Sequence, residues 1–272
     1  GAPASAWSAQ AQQNPLTFEL SADGETLAYC GSGTSDHGLY AGRRGAPTRI
    51  LSAGANYCNG AWLDPKSPRV AWIEQSTAVS GPKTLLRLVG LDGAPLAGDA
   101  QVTANGLWGA KFWDGQVLTL VTQGDDVGPL FATRPEEGLR TQLSSVELRH
   151  PFELGLGGRV IAASGRSLAL VEAATGATTQ PFTFPWETPC VPRASAPESN
   201  CYLLPANPVF SADAQWVAFE GRGDAALTSD TEGDMLLLDL STGALRRVTN
   251  DAVRDEQPRF TADGHWLYWI RG

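Results

Sequence analysis

The sequence predicts an all-β fold, and three observations carry the prediction. One hairpin recurs from end to end. Phe18-Glu-Leu-Ser-Ala-Asp-Gly24 leads into Glu25-Thr-Leu-Ala-Tyr-Cys30, Phe210-Ser-Ala-Asp-Ala214 into Gln215-Trp-Val-Ala-Phe219, and Phe260-Thr-Ala-Asp-Gly264 into His265-Trp-Leu-Tyr-Trp-Ile270. Helical spacing of apolar residues is almost absent, while 30 Gly and 18 Pro punctuate the chain. Between them lie short runs rich in aromatic and β-branched residues, the pattern of strands.

Taken in order, the first hairpins are Leu16–Leu20 with Thr26–Tyr29, Gly60–Leu63 with Arg69–Ile73, and Gly109–Trp113 with Gln116–Val121. They continue as Phe152–Leu156 with Arg159–Ala163, Pro208–Ser211 with Trp216–Phe219, and Pro258–Thr261 with Trp266–Ile270. Asp23-Gly24, Asp114-Gly115, Gly157-Gly158 and Asp263-Gly264 supply the turns, because these residues tolerate positive φ. From Phe18 through Trp62, Phe112, Leu154, Phe210 and Phe260 the spacings are 44, 50, 42, 56 and 50. A period of roughly 40–50 residues with four strands in each repeat is that of a propeller blade.

Five of the six units carry a second hairpin. Its turns fall at Arg43–Gly45, Asp92-Gly93, Glu136–Gly138, Thr175-Gly176 and Thr242-Gly243. The expected architecture is therefore a six-bladed β-propeller of four-stranded antiparallel blades, one domain over residues 1–272. The sixth unit has only its inner hairpin. The N-terminal segment 1–16, with Ala6–Ala9 as its strand, is expected to close that last blade and cover its edge.

Bulk composition excludes several classes. A formal charge of −9, from 29 acidic and 20 basic residues, argues against a nucleic-acid partner. No run of about 18 apolar residues offers a transmembrane segment. The start, Gly-Ala-Pro-Ala-Ser-Ala, reads as a terminus left by signal removal or as an artificial start. Cys30, Cys58, Cys190 and Cys201 form no Cys-x-x-Cys pair. Two disulfides in an exported protein are the expectation, with three pairings open. A Cys30–Cys58 bridge between neighbouring blades and a Cys190–Cys201 staple inside one loop are geometrically reasonable.

Residues 208–264 carry a resemblance. Pro208-Val-Phe-Ser-Ala-Asp, Leu236-Leu-Leu-Asp-Leu-Ser-Thr-Gly-Ala-Leu-Arg-Arg-Val-Thr-Asn250 and Asp255-Glu-Gln-Pro-Arg-Phe-Thr-Ala-Asp-Gly264 resemble the WD40-like repeat of the TolB propeller family. The first unit matches more loosely, and units two to four keep only turns and aromatics. The resemblance implies a six-bladed propeller of the bacterial cell envelope, periplasmic or secreted, that binds another protein.

Alternating strand direction puts the Asp-Gly turns at one end of each sheet and the long connections at the other. The expected long connections are 184–207, 220–233, 74–83 and 53–60. Long loops on a rigid scaffold are where binding concentrates. Tyr57, Trp108, Trp186 and Tyr202 are the aromatic candidates there, for a protein anchor or a stacked sugar. Glu187 and Asp255 are the acidic ones. Carboxylates gather at Asp224, Asp230, Glu232 and Asp234, at Asp125-Asp126 and at Asp255-Glu256. They read as a solvated acidic rim, with a bound calcium as the sharper alternative, although no EF-hand glycine is in place. Trp62, Trp72, Trp216, Trp266 and Trp269 are expected in the core between sheets.

Catalytic residues do not stand out. His37, His150 and His265 are the only histidines, and no Gly-x-Ser-x-Gly elbow occurs. His37 follows Asp36 in what reads as a long loop, Ser32, Ser35, Asp36 and His37 are too crowded for a triad, and His265 reads as a surface strand residue. The expected function is a monomeric binding module that recognises an envelope protein through its long loops, without a cofactor. The alternative is a carbohydrate-active or calcium-dependent hydrolase or lyase using paired carboxylates.

Overall fold

The protein is described by a computed structural model. It covers residues 14–21, 23–32, 37–45, 49–54, 57–76, 83–94, 96, 100–102, 107–121, 127–134, 137, 139–184, 205–221, 233–251 and 253–271. Contacts divide the chain into two units, residues 1–126 with 130–142, and residues 127–129 with 143–272.

Three four-stranded antiparallel sheets form the first unit. Sheet one is β1 (Asn14–Leu20), β2 (Thr26–Ser32), β3 (His37–Arg43) and β4 (Arg49–Gly54). Sheet two is β5 (Tyr57–Leu63), β6 (Arg69–Ser76), β7 (Lys83–Gly90) and β8 (Ala100–Val102). Sheet three is β9 (Leu107–Trp113), β10 (Gln116–Val121), β12 (Leu130–Arg134) and β13 (Leu139–Gln142).

In the second unit, sheet four is β14 (Leu148–Leu154), β15 (Arg159–Ser164), β16 (Ser167–Glu172) and β17 (Thr178–Thr183), with β11 (Val127–Gly128) added beside β14. Sheet five is β18 (Ala206–Phe210), β19 (Trp216–Gly221), β20 (Asp234–Asp239) and β21 (Leu245–Arg247). The last sheet has two strands, β22 (Asp255–Phe260) and β23 (Leu267–Arg271). These are the expected four-stranded blades of a β-propeller, with an inner hairpin alone in the sixth. Residues 1–13, expected to close that blade, lie outside the described residues, and Asn14–Leu16 are used by β1.

Asp-containing turns join the inner strands, and one set of hydrogen bonds builds three of them. Ser21 Oγ donates to Asp23 Oδ1 at 2.5 Å, the Glu25 amide to the same oxygen at 2.9 Å, and the Thr26 amide to Ser21 Oγ at 2.8 Å. Ser211, Asp213, Gln215 and Trp216 repeat the pattern, as do Thr261, Asp263, His265 and Trp266. The fourth position of the turn is left-handed in each copy, with φ of 70° at Gly24, 53° at Ala214 and 71° at Gly264. Ala214 therefore accepts the steric penalty that glycine avoids. Gly157 and Gly158 also have positive φ, although a short 3₁₀ turn replaces the expected two-residue hairpin there.

Packing draws on consecutive sheets. In the first unit Ala28, Cys30, Leu39, Cys58, Val70 and Trp72 make one buried cluster, and Ala71, Ile73, Leu86, Phe112 and Val117 make another. In the second, Ile161 and Leu168 pack with Phe184, Val217, Phe219 and Leu236. Arginines at strand starts add to this: Arg69 lies over the Phe112 ring at 5.4 Å and Arg159 over Phe210 at 5.9 Å.

Three expectations are corrected. The stretch 53–60 is not a long connection, because Ser52–Gly54 pair with His37–Leu39, and Tyr57 and Cys58 pair with Gln75 and Glu74. His37, taken for a loop residue, opens β3 opposite Ser32. Trp266 is 72% exposed rather than core, because its two-stranded sheet presents Trp266, Tyr268 and Ile270 on an outward face. By contrast Trp72 is buried, Trp62, Trp216 and Trp269 are half-buried, and His265 is the expected surface residue.

Cys30 on β2 and Cys58 on β5 form a disulfide with Cα atoms 5.4 Å apart, joining sheets one and two. It closes a loop of 28 residues. Replacing both cysteines with serine should lower the unfolding free energy by roughly 3.5 kcal/mol on the loop-entropy relation, measured by denaturant titration.

Asp263 is held at about 2 by the Thr261 hydroxyl and then the His265 amide, and Asp239 at about 2 by the hydroxyls of Ser241 and Thr242. Ser21 and Ser211 likewise lower Asp23 and Asp213. A carboxylate with a depressed folded pKa stabilises the fold above its ordinary value and loses that contribution as pH falls through the folded one. Stability should therefore drop between about pH 4 and about pH 2, and Asp263→Asn should flatten that fall in thermal unfolding.

Candidate functional site

Where strands of the second unit begin and end away from their Asp turns, the ladders depart from regularity. β18 shifts register between Ala206 and Val209, and β22 between Glu256 and Arg259. Inside these bulges Asn207 and Gln257 have φ of 48° and 55°, unfavourable for residues with a Cβ. Each precedes a proline, Pro208 or Pro258, so the repeat places the same distortion in neighbouring sheets.

Glu220 holds both bulges. It sits near the end of β19 and is 8% exposed. Its Oε1 accepts the Gln257 amide at 2.7 Å and the Asn207 side-chain amide. Burial raises the Glu220 pKa above the ordinary range, against the opposing effect of the Gln257 and Asn207 hydrogen bonds. One carboxylate thus pins β18 and β22 to β19.

Beside it lie two further buried acids. Asp234, the first residue of β20, pairs with Arg247 at 2.7 Å. Asp255, the first residue of β22, is 1% exposed; its amide donates to the Gly233 carbonyl at 2.9 Å. Asp255 Oδ1 accepts the Trp269 indole N–H at 2.9 Å, while Oδ2 is buried with no hydrogen-bond partner among the described residues. Thr249 Oγ1 accepts the Met235 amide, and Arg254 pairs with Glu256 at 3.1 Å. β19 ends and β20 begins at this network, and residues 222–232 between them lie outside the described residues.

The solvated acidic rim is accordingly corrected in part. Asp234 and Asp255 are buried and hydrogen-bonded, because β20 and β22 begin in the interior of the unit rather than in loops. Asp125, Asp126, Asp224, Asp230 and Glu232 lie outside the described residues, as do Trp186, Glu187, Tyr202, Cys190 and Cys201. Tyr57 and Trp108 are on strands, paired with Gln75 and Leu120. Among the described residues no three or more His, Cys, Asp or Glu side chains are grouped to hold a metal ion.

Sequence reasoning missed Glu220, Asn207 and Gln257. The available signal was a carboxylate following an apolar strand in two units, Val70-Ala-Trp-Ile-Glu74 and Val217-Ala-Phe-Glu220. Glu74 is buried too and pairs with Arg87. A second signal was Asn or Gln before Pro at the start of an inner strand.

No protein-family model and no curated protein matches the sequence. Solved structures do match. TolB from Acinetobacter baumannii superposes with a TM-score of 0.58 at 14% identity, over 90% of this chain and 57% of that one. A puromycin-hydrolysing peptidase from Mycobacterium tuberculosis gives 0.60 at 16% identity, over 92% and 42%. A functionally unknown protein from Desulfotomaculum acetoxidans gives 0.52 at 13%, over 85% and 68%. The chain thus spans little more than half of the TolB structure and less than half of the peptidase, and the likeness is one of fold.

Glu220→Ala should cost about 2 kcal/mol, because a buried amide N–H and the Asn207 side chain lose their acceptor. Glu220→Gln separates the charge from the hydrogen bonds. A raised folded pKa means that stability declines as pH rises from the unfolded value through the folded one. Glu220→Gln should remove that decline from the stability–pH profile while keeping the fold, as read by thermal unfolding upward from about pH 4, the ordinary range of a glutamate.

Proposed function

We propose that this chain is an exported, monomeric, TolB-like propeller module. It recognises a protein partner of the bacterial cell envelope through the connections opposite its short turns, above all 185–204 and 222–232. The observation that carries the reading is the buried network of Glu220, Asp234 and Asp255. It fixes the strand ends from which the 222–232 connection departs, and a rigid base under a long connection favours recognition by lowering the entropy lost on binding. The Cys30–Cys58 bridge favours an oxidising compartment, periplasmic or extracellular. No helix of the described residues is long and apolar enough to cross a membrane. A formal charge of −9 disfavours nucleic acid. In this reading no cofactor takes part.

The test is retention of proteins from a cell-envelope extract on the immobilised chain, compared with a Trp186→Ala/Tyr202→Ala variant. At least one retained protein should bind the variant tenfold or more weakly, on the order expected for aromatic anchors, with unfolding temperature unchanged. Identical retention by both proteins would remove the 185–204 connection as the contact. Retention should also persist in a metal chelator; a calcium requirement would instead favour the hydrolase alternative.

A further inference from the structure

At the short-turn end of the first unit, far along β2 from the disulfide, a cleft of about 400 Å³ opens between sheets one and two. Its walls are the β1–β2 turn with Asp23, the end of β3 with Arg43, and the β5–β6 turn with Asp64 and Lys66; Leu63 and Leu91 supply apolar surface. Hydrogen bonds fix these walls. The Leu63 amide donates to Glu19 Oε2 at 2.8 Å, tying β5 to β1, and the Leu91 amide donates to the Pro68 carbonyl at 2.8 Å.

The charges lining the cleft differ in their commitments. Asp64 accepts the Ser67 hydroxyl and Arg69 Nε, both at 2.6 Å, and the Lys66 amide at 2.8 Å. Burial alone would raise the Asp64 pKa, but these donors more than offset it and hold the group ionised. Asp23 is occupied by Ser21 and the Glu25 amide. The neighbouring Arg44 takes Glu25 at 3.7 Å. Arg43 and Lys66 are exposed, and neither has an ion pair or side-chain hydrogen bond among the described residues.

We propose that this cleft binds a carboxylate-bearing ligand of about amino-acid size, with Arg43 and Lys66 as its two cationic contacts. A guanidinium fork and an ammonium lining one opening suit an oxyanion. The charge balance selects which kind. Asp64 is already neutralised by Arg69, so the walls set Arg43 and Lys66 against Asp23, an excess of one positive charge that a singly charged carboxylate neutralises and a phosphate dianion overshoots. The apolar wall of Leu63 and Leu91 accommodates a short aliphatic body, and the preformed walls reduce the ordering cost of binding. This site is built from elements of the first unit alone and does not depend on the proposed partner surface.

Calorimetric titration at low ionic strength tests the proposal with three probes: N-acetylglycine, the capped peptide acetyl-Ala-Glu-Ala-amide, and inorganic phosphate. At least one carboxylate probe should saturate one site and bind more tightly than phosphate. Tighter binding of N-acetylglycine identifies a free small acid as the ligand, and tighter binding of the peptide identifies an acidic side chain. The Arg43→Gln/Lys66→Gln variant should bind at least about tenfold more weakly, the loss of two charge-assisted contacts. Its unfolding temperature should be nearly unchanged, since among the described residues neither side chain has an ion pair or hydrogen bond, and the Arg43 charge makes only the smallest of the contributions that lower exposed Asp23. Absence of saturation by both carboxylates, preference for phosphate, or unchanged affinity in the double variant would overturn the assignment.

Discussion

The second strand of each four-stranded sheet is buried on both faces, and the rest of the structure follows from that constraint. In β15 Val160, Ile161, Ala162 and Ala163 are all essentially inaccessible, as are Val217, Ala218 and Phe219 in β19. A strand with no solvent face cannot belong to an isolated sheet. Each sheet must be covered on both sides by neighbouring elements, and the buried clusters accordingly take residues from consecutive sheets. Alanine occupies the same register in three of these strands, as Ala28, Ala71 and Ala218, each fully buried, and Ile161 takes that place in β15. A methyl group there lets the adjacent sheet approach, while the larger neighbours Tyr29, Trp72 and Phe219 fill the space on the other face.

Given such sheets, the connections at their two ends have different tasks. At one end the chain must reverse within a few residues, and the Ser/Thr-x-Asp pattern supplies every polar partner the turn requires. Asp23, Asp213 and Asp263 each accept a hydroxyl and a backbone amide, so these exposed turns keep their shape without burial. At the other end, bulges replace regular ladders. The left-handed φ of Asn207 and Gln257 goes with hydrogen bonds to Glu220, a buried acceptor shared by both bulges.

This difference governs what the sequence disclosed. Turn chemistry is local, and so the inner hairpins and their aromatic strands were legible from residues two to five positions apart. The Cys30–Cys58 bridge was legible because the repeat put both residues near the same end of adjacent sheets. Features that depend on partners distant in sequence were not. Val127-Gly128 has no strand-like composition, yet it pairs with Arg149 and Leu148 and becomes an edge of sheet four. Gly54 and Tyr57 flank Ala55-Asn56 in a stretch that reads as a loop, but ladder hydrogen bonds to β3 and β6 extend both strands. Trp266 has the composition of a core residue, and its exposure follows from the two-strand width of its sheet. Glu220 was hardest to find, since its partners Asn207 and Gln257 lie 13 and 37 residues away.

Burying three carboxylates near one end of the second unit is costly unless they are hydrogen-bonded or paired. Glu220 meets that condition with two amides, Asp234 with the Arg247 guanidinium and Asp255 with the Trp269 indole. Apolar residues of similar size would pack the same volume without the desolvation penalty, but they could not hold the two bulges or orient the Trp269 indole. What the acids contribute is therefore geometry: fixed departure points for the chain that follows β19 and precedes β20. A scaffold whose short turns are self-sufficient and whose opposite ends are locked by buried polar contacts can change the sequence of its long connections without disturbing the sheets beneath them.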